Sequence, residues 1–273
     1  MIRLKTSRSQ ASAHCVFAIG AIIVVGLFSS KASAREGAGE WFEHQWQWAW
    51  LESYDPTLIS RRVLTELSWE DSGDAESLTK LETSVRWAIP IREDLAFAIQ
   101  GLVPLKWLDS AADRQFGLGD FEVRPGIVCR ASRDLRFGFG VNAAFDTAPS
   151  SGPGSTVLEL RPIAGVRWDA SERINLGLNA EYGFTPCDEG KADVSAFELK
   201  FPVVLKVDDA WSAALTYKPR WNLLNQEERH RLEAGATYLW GSELQYALSF
   251  GAEVPLASER FDYKWVSGFG WFF

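Results

Sequence analysis

Residues 156–168 read TVLELRPIAGVRW, and the alternation in this stretch decides the fold. Every second residue from Leu158 to Trp168 is apolar, whereas the other face carries charged residues such as Glu159 and Arg161. Strict period-two alternation over this length predicts a β-strand with one apolar face and one polar face.

The same pattern recurs along most of the chain. It is clear in LRFGFGVNAAF and INLGLNAEYGF, and it returns in nine further stretches: 59–71, 78–90, 94–107, 117–130, 194–207, 211–222, 229–240, 243–254 and 262–273. Soluble sheets favour strands of about 5–6 residues, and these stretches are longer. Long strands that alternate between a lipid face and a wet face are typical of transmembrane β-barrels, because only a closed barrel satisfies strand backbones in lipid.

The connections between the strands differ in length. Short polar turns such as REDL and DASER alternate with longer segments such as DTAPSSGPGS, TPCDEGKADVS and LLNQEERH. Short periplasmic turns and longer outer loops are typical of bacterial outer-membrane barrels. The fold of a soluble β-sandwich does not require this difference in connection length. We predict an all-β fold, a transmembrane antiparallel β-barrel of about 12 strands over residues 58–273.

Aromatic residues mark both ends of the predicted strands. Interfacial Trp and Tyr prefer the two boundaries of a membrane, which predicts an aromatic girdle formed by Trp87, Trp168, Trp211, Trp240 and Trp271 at the periplasmic end and by Trp107 and Trp221 at the outer end.

The C-terminal stretch KWVSGFGWFF is predicted to be the strand that closes the barrel onto its first strand. Its aromatic residues at alternate positions, ending on Trp271 and Phe273, resemble the signal that barrel-assembly machinery recognises in outer-membrane proteins. The resemblance implies that this machinery and outer-membrane lipid are partners of the chain.

The N-terminus has the features of a secretory signal peptide. Basic residues precede the apolar run at 16–28, and Ala32-Ser33-Ala34 follows it as a small-x-small cleavage site. The alternative is an uncleaved anchor, but the run is shorter than the roughly 20 residues of a spanning helix. We predict that residues 1–34 are a signal peptide cleaved after Ala34, which directs the protein to the bacterial outer membrane.

Residues 40–53, EWFEHQWQWAWLES, are rich in tryptophan and fit the barrel pattern poorly. Aromatic residues at alternate positions allow another strand, but that strand would make the number odd. An extended first strand that turns back is a further alternative. We predict that residues 35–57 form a periplasmic segment before the barrel, or a plug that enters its lumen.

Two cysteines follow the predicted signal peptide. Cys129 is expected near the periplasmic end of a strand and Cys187 in an outer loop. A disulfide requires Cα atoms within about 7 Å, so we predict no disulfide within the chain.

The chemistry of the sequence offers little for catalysis. After the signal peptide the histidines are His44 and His230, which gives no nucleophile–histidine arrangement and no H-E-x-x-H metal motif. The GLGD stretch leads into a strand and not a helix, so it lacks the helix N-terminus that binds phosphate. The acidic balance, a formal net charge of -8, argues against nucleic acid as a partner. We predict a protein that is not an enzyme and has no metal or cofactor.

The polar faces of the strands define the predicted lumen. They mix both signs of charge, which fits either a structural network of ion pairs or a constriction that selects solutes. A barrel of about 12 strands lies between side-chain-filled barrels and wide porins, and thus favours a narrow channel. The candidate selectivity residues are Arg86, Asp120, Arg124, Arg136, Glu159, Arg161, Glu181, Lys200, Arg220, Arg231 and Glu233.

Residues 116–154 resemble an outer-membrane family linked to meta-pathway phenol degradation. The GxGD motif at Gly117, Gly119 and Asp120 matches the family, TAPSSGPG matches its loop loosely, and EVRPGI departs from it. The resemblance covers about 40 residues and implies uptake of small, often aromatic or hydrophobic compounds.

Together these observations predict an outer-membrane channel or transporter for small organic solutes. The alternative is a non-conducting structural or assembly barrel that is plugged by its N-terminal segment. A membrane-embedded hydrolase is disfavoured.

Overall fold

The structure is a computed structural model that describes residues 55–71, 76–110, 114–148, 158–186, 194–241, 245–257 and 263–273. The predicted signal peptide with its cleavage after Ala34, residues 40–53, His44 and Cys187 lie outside these ranges. In the part described, no helix is long and apolar enough to cross a membrane.

The described ranges contain thirteen strands, all antiparallel to their neighbours. They are β1 (Arg62–Asp71), β2 (Ser77–Arg92), β3 (Leu95–Asp109), β4 (Arg114–Leu118), β5 (Glu122–Arg130), β6 (Leu135–Ala144), β7 (Glu159–Asp169), β8 (Ile174–Phe184), β9 (Ser195–Lys206), β10 (Trp211–Asn222), β11 (Glu227–Trp240), β12 (Tyr246–Ala257) and β13 (Tyr263–Phe272).

The last strand closes the sheet onto the first. β1 pairs with β2 on one side and with β13 on the other, in a register that runs from Arg62 opposite Phe272 to Asp71 opposite Tyr263. A closed sheet has no exposed edge. The predicted antiparallel barrel, closed by the C-terminal strand, is therefore confirmed.

Two of the strands share one position in the barrel. β4 pairs with the end of β3 at Leu105–Asp109, and β5 pairs with β3 at Leu95–Leu102. Between them the chain leaves the sheet, because the amide of Phe121 donates to Thr147 Oγ1 at 2.8 Å. The prediction of one continuous strand over 117–130 is wrong, but the described strands occupy twelve positions, as the prediction of about 12 requires.

The connections define two ends of the barrel. The turn end carries the short connections 93–94, 131–134, 170–173, 207–210 and 241–245, and the loop end carries the others. The longest loops are 145–158 and 185–194. The prediction of a long loop at LLNQEERH is wrong, because β11 already begins at Glu227 and pairs with β10 from there.

The two surfaces of the barrel are inverted relative to a soluble protein. Outward positions expose large apolar side chains, among them Val103, Phe139, Leu215, Phe250 and Trp265. Inward positions bury polar and charged side chains, among them Glu66, Gln100, Arg124, Asn179 and Thr216. The strand alternation therefore places the polar face inside and the apolar face outside.

The first strand begins later than its sequence pattern indicates. Residues 59–71 alternate, but β1 starts at Arg62 because Asp55–Ser60 turn into the barrel interior and are buried there. We call Asp55–Ser60 the lumen segment.

Candidate functional site in the barrel lumen

A cavity of about 140 Å³ lies in the half of the lumen nearer the loop end. Its charged lining is Arg124, Glu159, Arg161, Glu181, Glu198, Lys200 and Arg220, and its other lining residues are Asn142, Gly183 and Ala196. The strands β5 to β10 therefore build this site together, and almost all of its wall is polar.

Most charges in the cavity wall neutralise one another. Arg161 donates from Nε and Nη2 to the two carboxylate oxygens of Glu159, at 2.8 and 2.7 Å. Arg124 donates from Nε and Nη2 to a single oxygen of Glu122, Oε2, at 3.2 and 2.6 Å, and this oxygen also accepts a hydrogen bond from Asn142 Nδ2 at 2.9 Å. The bidentate pair of Arg161 with Glu159 holds that guanidinium in a fixed orientation.

The next strands continue this arrangement. Lys200 Nζ lies 3.5 Å from a carboxylate oxygen of Glu198 and 4.0 Å from one of Glu181. Each of the three glutamates in the lining thus has a cation within 4 Å.

Arg220 differs from the other cations of the lining. It is exposed into the cavity, and it forms no hydrogen bond or ion pair with the residues that the structure describes. It lies opposite Glu198 in the β9–β10 pairing; the two are not within ion-pair distance, but the charge of Arg220 still stabilises the Glu198 carboxylate. The cavity therefore holds one guanidinium whose donors are available.

A second charged cluster lies on β10, β11 and β12. Glu253 accepts hydrogen bonds from Lys218 at 3.1 Å and from Arg231 at 2.8 Å, and Lys218 also forms an ion pair with Glu233. Of the predicted selectivity residues, Arg231 and Glu233 thus belong to this cluster. It is charge-balanced.

The lumen segment occupies the interior at the turn end. The Asp55 carboxylate pairs with Arg167, whose Nε donates to Asp55 Oδ2 at 2.8 Å. Thr57 donates its amide and its hydroxyl to Asp55 Oδ1, at 2.8 and 2.6 Å. Burial raises the pKa of Asp55, but Arg167 and the Thr57 hydrogen bonds outweigh burial and hold this pKa at about 2.

Arginine also holds the backbone of the segment. Arg86 Nη1 donates to the carbonyl oxygen of Asp55 at 2.9 Å, and Arg86 Nη2 donates to that of Leu58. Ile59 is fully buried in a small apolar cluster with Ala88, Ala96, Ala98 and Val128. Side-chain, backbone and apolar contacts therefore all fix the segment in place.

Two glycines leave room for the segment. A Cβ atom at Gly138 would lie 2.2 Å from the carbonyl oxygen of Pro56, and one at Gly165 would lie 2.9 Å from Pro56 Cγ. Any side chain at Gly138 would therefore displace Pro56.

Further polar groups surround the segment. Arg136 Nη2 donates to both carboxylate oxygens of Asp169, at 3.0 and 3.1 Å, and Asn175 links Asp169 to Arg167. Arg86 and Arg136, two of the predicted lumen residues, thus lie beside the lumen segment and are not part of the cavity lining.

Asp120 has a structural environment different from the one expected. It is one of the candidate selectivity residues of the lumen, but its Oδ1 accepts hydrogen bonds from the amides of Thr147 and Ala148, at 3.3 and 3.2 Å. Arg124 pairs with Glu122, and Arg136 pairs with Asp169. Asp120 therefore ties the loop after β6 to the break between β4 and β5.

The aromatic residues lie near the strand ends where the alternation places them. Trp168, Trp211, Trp271 and Trp107 are exposed outward, and Trp221 and Trp240 are partly exposed. Trp87 is buried, because Phe273 packs on its ring at a centroid distance of 5.5 Å and Arg61 lies over it at 5.0 Å.

His230 lies at the loop end on the outer surface. Its Nδ1 contacts the Tyr217 hydroxyl at 2.6 Å, and its Nε2 contacts Glu228 Oε1 at 2.8 Å. No serine, threonine or cysteine takes part in these contacts. Within the described ranges no three His, Cys, Asp or Glu side chains form a metal-ligand group.

Asp55 is the lumen residue with a buried ion pair that the sequence analysis did not identify. Two signals point to it in retrospect. An Asp before Pro-Thr favours a turn that is hydrogen-bonded by its own side chain. The arginines that alternation places inside the turn end also outnumber the acidic residues placed there, so their charges require a further anion. These arginines are Arg62, Arg86, Arg136 and Arg167.

No family model and no curated protein matches the sequence. The fold is similar to that of the COG4313 outer membrane channel from Pseudomonas putida F1, with a TM-score of 0.67 and 13% identity over 81% of this chain and 98% of that one. It is also similar to the KdgM porin in complex with disordered oligogalacturonate (TM-score 0.51, 10% identity, 78% and 99% covered).

A third similar structure is the CymD monoaromatic hydrocarbon channel (TM-score 0.51, 7% identity, 78% and 88% covered). These three proteins are channels or porins, not enzymes. At such low identity the comparison shows the fold alone: the chain has the barrel fold of outer-membrane channels.

Proposed function

We propose that this protein is an outer-membrane channel for small organic solutes, which pass through a narrow lumen of mixed charge. The observation that carries the proposal is the loop-end cavity, whose charged wall lies inside a barrel with an apolar outer surface. Structural neighbours that include a monoaromatic hydrocarbon channel and a porin in complex with oligogalacturonate support a transport role.

The outer surface supports a location in the outer membrane. Soluble monomers rarely expose contiguous apolar patches beyond a few hundred Å², whereas here large apolar side chains are exposed on strands all around the barrel. Export would depend on the signal peptide at 1–34, with cleavage after Ala34. Trp271 and Phe273 would present the assembly signal to the barrel-assembly machinery.

The solute class follows from the lining. The cavity is small and polar, so it favours small polar solutes over the aromatic or hydrophobic compounds that the phenol-degradation resemblance implies. The lumen residues proposed to set selectivity are those of the cavity wall, Arg124, Glu159, Arg161, Glu181, Lys200 and Arg220.

A second candidate function is a barrel that stays closed and serves a structural or assembly role. The buried ion pair between Asp55 and Arg167 favours it, because it holds the lumen segment across the turn end. Residues 35–54 would then continue this plug on the periplasmic side.

Planar-bilayer recordings distinguish the two candidates. We expect the mature chain to conduct weakly and a variant lacking residues 35–60 to conduct in stable, uniform steps. If neither protein gives single-channel steps or flux of small solutes into liposomes, the channel proposal fails and the closed barrel is favoured.

A further inference from the structure

The charges around the loop-end cavity are balanced among the residues that the structure describes. The four basic side chains of the lining are matched by its three glutamates and by Glu122, which pairs with Arg124. A wall of this kind gives no net attraction to a solute of either sign. What it can recognise is the positions of its positive and negative groups.

The pairs in the wall differ in how closely their partners meet. Arg161 donates to the two oxygens of Glu159 at 2.8 and 2.7 Å. Lys200 Nζ lies 3.5 Å from a carboxylate oxygen of Glu198. Arg220 lies opposite Glu198 in the β9–β10 pairing, but the two are not within ion-pair distance. Opposite charges therefore face each other across β9 and β10 without being in contact.

The two separated groups can be reached from the cavity. Arg220 is exposed, and the Glu198 side chain is 23% exposed. Both residues line the cavity, and Arg220 forms no hydrogen bond or ion pair within the described ranges. A solute can therefore contact this guanidinium and this carboxylate while the closer pair of Arg161 with Glu159 stays intact.

An ion with a single charge suits this arrangement poorly. An anion on Arg220 would lie beside the Glu198 carboxylate, and a cation on Glu198 would lie beside Lys200 and Arg220. Like charges at close range repel and weaken binding. A zwitterion avoids both repulsions when its carboxylate is on Arg220 and its ammonium is on Glu198. The guanidinium can also offer two parallel N–H donors to that carboxylate.

The size of the cavity limits the rest of the solute. Its volume is about 140 Å³, and a cavity of about 150 Å³ holds one benzene molecule. Alanine has as many non-hydrogen atoms as benzene. Of the described lining residues, Gly183 and Ala196 are the apolar ones, so the wall offers little surface to a large hydrocarbon side chain.

We propose that the loop-end cavity binds a small zwitterion of the amino-acid type, with its carboxylate on Arg220 and its ammonium on Glu198. The inference rests on the proposed channel function, since it names the solute class of the same lumen. The balanced wall then selects solutes that carry both charges over solutes that carry only one.

Isothermal titration of the full mature protein in detergent micelles tests the proposal with three probes at neutral pH. Alanine carries both charges, propionate lacks the ammonium, and ethylammonium lacks the carboxylate. Alanine should bind at least about tenfold more tightly than either of the other two. The proposal fails if alanine does not bind, or if propionate or ethylammonium binds as tightly as alanine.

Two variants locate the contacts, because each should remove one kind of selectivity. Arg220→Gln removes the partner of the carboxylate, so alanine should bind no more tightly than ethylammonium. Glu198→Gln removes the partner of the ammonium, so alanine should bind no more tightly than propionate. Lys200 keeps Glu181 at 4.0 Å in the second variant. Equal weakening of all three probes would give both residues a structural role only and would overturn the assigned contacts.

The Arg114–Asp109 pair supplies matched controls. Its atoms are 3.0 Å apart at the exposed loop end, and neither residue lines the cavity. Arg114→Gln and Asp109→Asn each remove one charge of the same sign as the corresponding test variant. Both should leave the three affinities unchanged, and a loss of selectivity in either control would contradict the assigned site.

Binding is measured without conduction, so the two proposals fail separately. Alanine binding by a protein that never conducts would remove the channel function and leave the site. Conduction without alanine binding would remove the site and leave the channel.

Discussion

Asp55 and Arg167 form a buried ion pair between residues that are 112 positions apart in the sequence. Asp55 precedes the first strand and Arg167 lies near the turn end of β7. The pair therefore joins the segment before the barrel to the middle of the barrel wall, and three of the predictions below concern what it holds in place.

Asp55→Asn should release the lumen segment. Removing one partner of a buried ion pair leaves an uncompensated charge and costs about 3–5 kcal/mol. This cost destabilises the conformation in which the segment lies inside the lumen. We expect a higher open probability in planar bilayers than for the unchanged protein. Asp209→Asn removes the same charge from an exposed turn, and it should leave the conductance unchanged.

The effect of pH on the segment follows from the pKa of Asp55, which is held at about 2, below its usual 3.8. Because this pKa is depressed, the ion pair contributes its full stabilisation above about pH 4 and loses it as the pH falls through about 2. Conductance should be constant between pH 4 and 8 and should rise towards pH 2. An equal rise in Asp55→Asn would show that another group is responsible.

Gly138→Ala tests the segment without changing any charge. The added Cβ would lie 2.2 Å from the Pro56 carbonyl oxygen, so the segment must move. We expect conductance to increase as it does in Asp55→Asn. Gly270→Ala serves as the control, because a Cβ there has its nearest contact at 3.5 Å, and a similar increase in this variant would contradict the explanation.

Asp120→Ala should loosen the loop after β6 and leave the barrel intact. Two amide hydrogen bonds to a carboxylate are lost, each contributing about 1.5–3 kcal/mol. Limited proteolysis should cut between residues 145 and 158 faster than in the unchanged protein, with no change in the heat-dependent shift on electrophoresis. Equal cleavage rates would show that the Phe121 contacts are sufficient to hold the loop.

Phe273→Ala should reduce assembly of the barrel. The Phe273 ring contacts Trp87 and Trp271, at 5.5 and 4.9 Å between centroids, and each such pair contributes about 0.5–1.5 kcal/mol. The yield of folded, heat-modifiable barrel in outer-membrane fractions should fall. Phe269→Ala, an outward aromatic on the same strand, should assemble nearly normally, and an equal loss there would argue against a special role for the last residue.

Alternation predicts the barrel well because every strand must direct apolar side chains outward and polar side chains into the lumen. β10 runs from Trp211 to Asn222, as its pattern indicates, and β7 places Arg161 inside and Trp168 outside. Alternation predicts a strand wrongly where a segment leaves the sheet but its residues still alternate between apolar and polar. Ile59 fits a strand by period, yet it is buried inside the lumen with Ala88 and Val128.

Pairing inside the lumen depends on strand register, which alternation does not specify. Alternation places Asp120 and Glu122 on the same strand face as Arg124, and only the break at Phe121 turns Asp120 towards the loop amides. Arg220 is likewise an inward cation by pattern. Its lack of a hydrogen-bond or ion-pair partner within the described residues depends on Lys200, which pairs with Glu198 along the same strand, β9.

The pairing of β1 with β13 has a consequence for the order of events during biogenesis. β1 and β13 are the first and the last of the described strands, so one edge of β1 has no intramolecular partner until all the strands between them are present. The lumen segment is joined directly to Arg62, the first residue of that waiting strand. The seam that closes the barrel is therefore also the anchor of the lumen segment, and Asp55 reaches Arg167 on β7 from a strand whose second edge is occupied only once the barrel is closed.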